Sequence, residues 1–373
     1  MVRSWYESRT YAMTAAPPTL RTRSSRTAPL EEGSPLYRIS MEVSRHCNLH
    51  CAYCYSGAGA SVQPVMGPQD VRTVLSQAFS LGARLVSFVW GGEPFTWPGL
   101  LADDGPLAFT NGLGAYAHLY TNGSLVRGPE ASRLAALDVS VIAKCNSLRA
   151  EVQDRLVGVP GASAAIHRGL DALLEAGLAA PGVFRLGVET VISPLNYEEL
   201  PDLWRYFRRH GMIPEVEIPT QHGRAAQHTD LLYFPFPEAR EKYRALFEEL
   251  ARIDAQEFGY HWDPRPPFPA GTCSLIDKDR NCYVTHDGTV QPCAGVEQSF
   301  GRLAVGPNRD TGEALHAIVT APAFQRLRRI RELLSEPCRS CECLSDCYGC
   351  RGAAFHHGGD MFGPDPFCWR HRT

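Results

Sequence analysis

From Tyr37 onward, short apolar and β-branched runs alternate with longer stretches of helical periodicity. The runs predict strands over 37–43, 85–90, 117–121, 139–144, 184–192 and 214–219. Between them, helices are predicted over 68–81, 129–137, 162–176 and 197–210. The last opens with Glu198 and Glu199 and closes with Arg208, Arg209 and His210, the charge order that a helix dipole favours. Strand–helix alternation with short links implies parallel strands joined by right-handed crossovers. Six such units make an α/β fold of one kind, a partial (β/α)6 barrel. Its chemistry belongs on the loops that leave the carboxyl ends of the strands.

The pattern stops on both sides of this region. Residues 1–34 are rich in Ser, Thr, Arg, Pro and Ala without apolar periodicity, which predicts an irregular, solvated extension. A long helix over 238–258 and a proline-rich connection over 260–270 follow the sixth strand. From Cys273 onward cysteines are frequent, and a helix over 322–334 is the main regular element expected. The organisation read from this is an extension (1–34), a barrel (35–236), a linking helix and connection (237–271) and a small cysteine-rich domain (272–373).

Composition narrows the function. The chain has 373 residues, 44% of them hydrophobic and 21% charged, as a folded globular protein does. A formal net charge of -3 offers no electrostatic footprint for nucleic acid. No apolar run is long enough to span a bilayer, and the opening MVRSWYESRT holds no signal core, so a cytoplasmic protein without a membrane partner is expected. In a reducing compartment, thirteen cysteines point to metal ligands or catalytic thiols rather than disulfides.

Cys47, Cys51 and Cys54 form C-x3-C-x2-C just beyond the first strand. Three thiolates on one short loop can each reach a different iron of a four-iron cluster and leave the fourth iron open. An open iron can chelate an amine and a carboxylate together. Zinc, with His46 or His50 as a fourth ligand, is the competing reading of these residues alone.

C-x3-C-x2-C followed by an aromatic residue, at the end of a first barrel strand, resembles the signature of the radical S-adenosylmethionine superfamily. One strand later, Gly91, Gly92, Glu93 and Pro94 are similar to that superfamily's glycine-rich motif, which contacts the methionine end of the cofactor. The resemblance implies that the backbone at Tyr55 touches the adenine. It further implies that Thr121, Asn122, Asn146 and Ser147, at later strand ends, help to hold cofactor or substrate.

The order of the C-terminal cysteines resembles the SPASM extension of the same superfamily. Gly288 and Cys293 give its G-x4-C, and Cys338, Cys341 and Cys347 its C-x2-C-x5-C. The spacing from Cys347 to Cys350 is two residues where the pattern has three. The resemblance implies two auxiliary four-iron clusters, three in all. One would use Cys273, Cys282, Cys293 and Cys350, the other Cys338, Cys341, Cys347 and Cys368, with Cys343 left over. Such crossed ligation ties distant segments together and explains how a domain with little apolar core folds. The chemistry implied is reductive cleavage of S-adenosylmethionine to a 5′-deoxyadenosyl radical, fed by a reductant such as a flavodoxin or ferredoxin.

Clusters ligated only by protein suit electron transfer, which favours net oxidation. Cys145 argues otherwise. It follows the fourth strand, and if it faces the barrel its thiol can return a hydrogen atom to a substrate radical, giving epimerisation; a buried core thiol is the bland alternative. Glu189, Glu215, Glu217 and His222 cluster near the fifth and sixth strand ends, with Glu217 expected to point into the barrel. A leader-binding domain does not fit in 34 residues, so the expected substrate is a small polar metabolite such as an aminocyclitol or sugar. A peptide is the alternative, and a zinc-stabilised scaffold the alternative of another class.

Overall fold

The computed structural model describes residues 16–22, 33–60, 66–236, 238–264 and 273–370. Most of the N-terminal extension and positions 265–272 of the proline-rich connection lie outside the described residues.

Six parallel strands form the frame: β1 (Arg38–Ser44), β2 (Leu85–Gly91), β3 (Tyr116–Thr121), β4 (Ser140–Lys144), β5 (Leu186–Val191) and β6 (Ile213–Glu217). The crossovers carry α1 (Pro68–Ser80), α2 (Pro106–Gly112), α3 (Gly128–Ala136), α4 (Ala150–Val157), α5 (Ala162–Glu175) and α6 (Leu200–Arg209). Observed strands fall within two residues of their predicted bounds. α2 and α4 were not predicted, because seven or eight residues give too few turns for the apolar period to register. α4 nonetheless buries Val152, Leu156 and Val157.

A short α7 (Thr229–Leu232) precedes α8 (Glu238–Ile253). The long helix predicted to 258 instead widens into a π turn over Asp254–Phe258, ended by Gly259 at φ 73°. Asp254, the first residue of that turn, is fully buried and accepts from Trp204, Trp262 and Arg208.

The C-terminal part is more ordered than its composition suggested. It contains β7 (Cys282–Val284), β8 (Val290–Gln291), α9 (Leu315–Thr320), α10 (Pro322–Arg326), α11 (Ile330–Leu333) and α12 (Arg351–Gly358). The helix predicted over 322–334 is broken by a 3-10 turn at Leu327–Arg329. β7 pairs in parallel with β1, giving a sheet of order β6-β5-β4-β3-β2-β1-β7-β8. The C-terminal part thus supplies the seventh and eighth strands of the barrel wall. A three-residue strand within a cysteine motif carries no legible period.

Side chains alternate across the wall. Ile39, Met41, Val43, Val141, Ala143 and Val188 pack against the helices, and Ser40, Glu42, Tyr120, Lys144, Glu189 and Glu217 face the lumen or its rim. The amino end of the lumen is closed by part of the extension. The Arg21 carbonyl accepts from His118 Nε2 at 2.8 Å and from Ser140 Oγ at 3.1 Å, and its guanidinium lies 3.0 Å from Asp138. Residues 16–22 are therefore a floor, which corrects the expectation of a solvated tail for this stretch. Among the described residues, no helix is long and apolar enough to cross a membrane.

Candidate active site and cluster ligands

The loop after β1 carries Cys47, Cys51 and Cys54, and the three thiols act on one another electrostatically. Burial raises the Cys47 thiol to about 11 and Cys51 to about 12, so neither ionises at neutral pH without a compensating cation. The loop is fastened by a residue the sequence did not single out. Arg224, buried after β6, donates to the carbonyls of Cys51, Gly57 and Ala58, and its own amide donates to Cys54 O. An isolated arginine gives no motif to read.

β2 ends in the glycine pair. Gly91 takes φ 86°, and a Cβ on Gly92 would meet the His46 carbonyl oxygen at 2.1 Å. Two glycines are needed here for the strand end to lie against the cysteine loop. Glu93 follows, 1% exposed, and accepts from Thr121 Oγ1 and from the Asn122 amide, both at 2.7 Å. Burial, opposed by these bonds, brings its carboxyl up to about 7. Pro94 opens a 3-10 turn behind it. Asn122 Nδ2 reaches 3.9 Å from Cys47 Sγ. Asn146 joins the ends of β4 and β5 to the cysteine loop, donating to Tyr53 Oη at 2.8 Å and accepting from the Val191 amide.

Ser147 does not share that position. Its hydroxyl donates to Glu199 Oε2 at 2.5 Å, so it is committed to a partner that the sequence did not link to it. Cys145 likewise has a partner of its own. One residue beyond lumen-facing Lys144, alternation turns its thiol to the helix layer, 3.8 Å from His167 Nε2 of α5. It is fully buried there, and burial raises it to about 12.

Within the lumen, Lys144 Nζ lies 2.6 Å from Glu189 and 2.7 Å from Glu217, beneath the ring of Tyr53. Burial and the neighbouring Glu217 raise Glu189 to about 8; Lys144 holds Glu217 low despite burial. Glu215 faces the same group and is likewise raised by burial and by Glu217. Glu217 thus points where alternation predicted.

In the C-terminal part, Cys273, Cys293 and Cys350 influence one another. Cys338, Cys341 and Cys347 form a second group. Cys368, 8% exposed, follows the turn at Asp365, whose carbonyl accepts its amide. Cys282 stands apart from the first group. On β7 its neighbour Tyr283 faces the lumen, so alternation sends the Cys282 thiol into the core, where the charge acting on it is the Arg328 guanidinium. The expected set with Cys273, Cys293 and Cys350 would need this thiol to turn out of the core.

Residues 273–342 match the family model of the SPASM iron–sulfur cluster-binding domain. An AdoMet-dependent heme synthase of Oleidesulfovibrio alaskensis is 26% identical over 91% of this chain and 89% of that protein. The mycofactocin maturase MftC of Mycobacterium ulcerans is 25% identical over 88% of this chain and 87% of its own length. Among solved structures, Streptococcus suis SuiB bound to its precursor peptide SuiA superposes with a TM-score of 0.63, at 17% identity, over 90% of this chain and 76% of that one. Native anSMEcpe with bound AdoMet gives 0.61 at 14% identity over 89% and 94%. These matches bear out the resemblance to the SPASM-containing radical S-adenosylmethionine enzymes.

The cofactors of a radical S-adenosylmethionine enzyme of this subfamily are S-adenosylmethionine and more than one four-iron cluster. The donor sets fit them. Hydrogen bonds run to the sulfurs themselves: Leu49 N–H to Cys47 (3.4 Å), Gly349 N–H to Cys347 (3.2 Å), Ala353 N–H to Cys350 (3.4 Å) and Tyr348 Oη to Cys273 (3.1 Å). Donors aimed at sulfur stabilise anionic thiolates and tune cluster potential.

Proposed function

We propose that the chain abstracts a hydrogen atom from a polar substrate held in the barrel lumen and oxidises it by two electrons. The observation that carries this reading is the Lys144–Glu189–Glu217 group, seated among strand ends directly beneath the cysteine loop. When bound, S-adenosylmethionine and its cluster on Cys47, Cys51 and Cys54 supply the 5′-deoxyadenosyl radical, and auxiliary clusters supply an electron sink. Gly91, Gly92, Glu93 and Pro94 hold the methionine end of the cofactor, and the Tyr55 backbone frames its adenine. Thr121 acts through Glu93, and Asn122 and Asn146 brace the cysteine loop. Glu189, Glu215 and Glu217 accept hydrogen bonds from hydroxyl or ammonium groups of the substrate. Oxidation is preferred to epimerisation because Cys145 faces α5 rather than the lumen.

The auxiliary clusters in this reading use Cys273, Cys293 and Cys350, and Cys338, Cys341, Cys347 and Cys368. The division at 236/237 and 271/272 belongs to the same proposal. A small polar metabolite, such as an aminocyclitol or sugar, suits a lumen of carboxylates and one ammonium. A peptide is the second reading, favoured by the likeness to a mycofactocin maturase.

The test is anaerobic reconstitution with iron, sulfide and a low-potential reductant. The intact protein should form 5′-deoxyadenosine, and Cys47→Ala should not. Intact S-adenosylmethionine in the presence of a reduced cluster would overturn the reading. Deuterium passed from a labelled substrate into 5′-deoxyadenosine decides between metabolite and peptide.

A further inference from the structure

Tyr55, the residue after Cys54, is fixed at both ends. A Cβ on Gly223 would lie 2.0 Å from the Tyr55 carbonyl oxygen, so its backbone is pressed against the segment that follows β6. At the other end its hydroxyl lies 2.9 Å from the hydroxyl of Tyr283. Tyr283 sits on β7, inside the region that matches the SPASM model, and is 2% exposed. Its own proton goes to Glu42 Oε1 of β1, at 2.7 Å. The other Glu42 oxygen is 3.0 Å from Arg45 Nε, which keeps this carboxylate an acceptor. With the Tyr283 proton committed to Glu42, Tyr55 must be the donor to Tyr283. The order of the chain is therefore Tyr55 to Tyr283 to Glu42.

The C-terminal part reaches Tyr55 a second way. The Tyr55 ring lies 5.6 Å from that of His222, which stacks on His356 of α12 at 4.5 Å and 11°. The pairing of β7 with β1, supported by Ser40 Oγ donating to Asn281 Oδ1 at 2.9 Å, sets Tyr283 at the right height. A buried hydroxyl chain that crosses from one part of the molecule to the loop beside the cluster does more than fill space, because packing alone needs no hydroxyls.

We propose that Tyr283 is a positioning residue for S-adenosylmethionine. Through Tyr55 it sets the cysteine loop in its binding geometry, so cofactor affinity depends on the auxiliary domain being docked on β1. This rests on the proposed function above, in which the Tyr55 backbone frames the adenine. It adds that the domain carrying the auxiliary clusters governs the first site mechanically, independently of any electron it accepts. Neither hydroxyl contacts the reacting atoms.

The experiment uses the full chain, reconstituted, with iron measured for each sample. S-adenosylmethionine affinity is read by equilibrium dialysis and by the change it causes in the electron paramagnetic resonance signal of the reduced cluster. Tyr283→Phe keeps the ring and removes the hydroxyl. Loss of a buried hydrogen bond to a charged group should weaken binding about tenfold, at unchanged iron content. Tyr55→Phe should weaken it by a similar factor, and the double variant no further, since both remove one chain. If Tyr283→Phe also loses auxiliary iron, Tyr55→Phe decides, because it cuts the same bond from the barrel side.

Unchanged affinity in Tyr55→Phe, or additive losses in the double variant, would overturn the proposal. A purely structural role predicts a lower melting temperature with an unaltered spectroscopic response, and that result also overturns it. Failure of the unmodified protein to bind the cofactor would instead sink the proposed function itself, and this inference with it.

Discussion

Lys144 Nζ lies 2.6 Å from Glu189 Oε2, and the same ammonium stands 2.7 Å from Glu217, so one cation offsets two carboxylates in the lumen. Both acids are raised by burial, and Lys144 lowers each in turn. Lys144→Met leaves that repulsion uncompensated. Breaking a buried pair costs about 3–5 kcal/mol, and the lower end applies because Lys144 and Glu217 are partly exposed. Urea unfolding at pH 8 should show a loss of about 3 kcal/mol, shrinking towards pH 5 as the two carboxyls protonate. Equal loss at both pH values would contradict the assignment.

Glu93 gives a second pH signature. Its folded carboxyl, raised by burial to about 7, lies above its ordinary value, so the cofactor-free protein loses stability as pH rises from about 4.5 through 7. The ammonium of S-adenosylmethionine favours ionised Glu93. Binding should therefore tighten about tenfold from pH 6 to pH 8, as expected for one group titrating near 7. In Glu93→Gln the affinity should be weaker and flat across that range, as measured by equilibrium dialysis.

Arg224 holds the carbonyls of Cys51, Gly57 and Ala58. Arg224→Met keeps the length of the side chain and removes the donors, so the loop loses its shape while the C-terminal cysteines are untouched. Iron should fall from about 12 per chain to about 8, as three four-iron clusters become two. 5′-Deoxyadenosine formation should vanish with it. A full complement of iron would show that the loop needs no such clamp.

Two thiols that alternation turns away from their expected partners make a matched pair. Cys145→Ala should retain turnover with the same product and lose about 1 kcal/mol of stability through the small cavity it leaves. Cys282→Ala should retain all iron on the auxiliary clusters. Product analysis checks the first and iron determination the second; a lost epimer or about four missing irons would restore the roles that spacing suggested.

Much of the site was legible because its chemistry is local in sequence. Cys47, Cys51 and Cys54 lie on one loop, and Gly91 to Pro94 on one turn, so spacing alone describes both. The glycine pair proved necessary on steric grounds, since a Cβ at Gly92 has no room beside His46. Glu217 was legible too, because its neighbours Val216 and Ile218 set the period of two. Arg224, Tyr283 and Glu42 were not, because each meets its partners across long sequence separations, 241 residues for Tyr283 and Glu42.

By itself, the sequence determined the alternation of strands and helices, the candidate loop for the first cluster and the cysteine-rich character of the C-terminal third. Those properties rest on period and spacing, which are written within a few neighbouring residues. Only the tertiary structure decided that β7 and β8 extend the barrel wall beyond β1, that residues 16–22 floor the lumen and that Cys145 and Cys282 face the core. Which face a residue presents at a strand end, and which distant strand lies beside it, follow from how the whole sheet is assembled. No local pattern records that assembly.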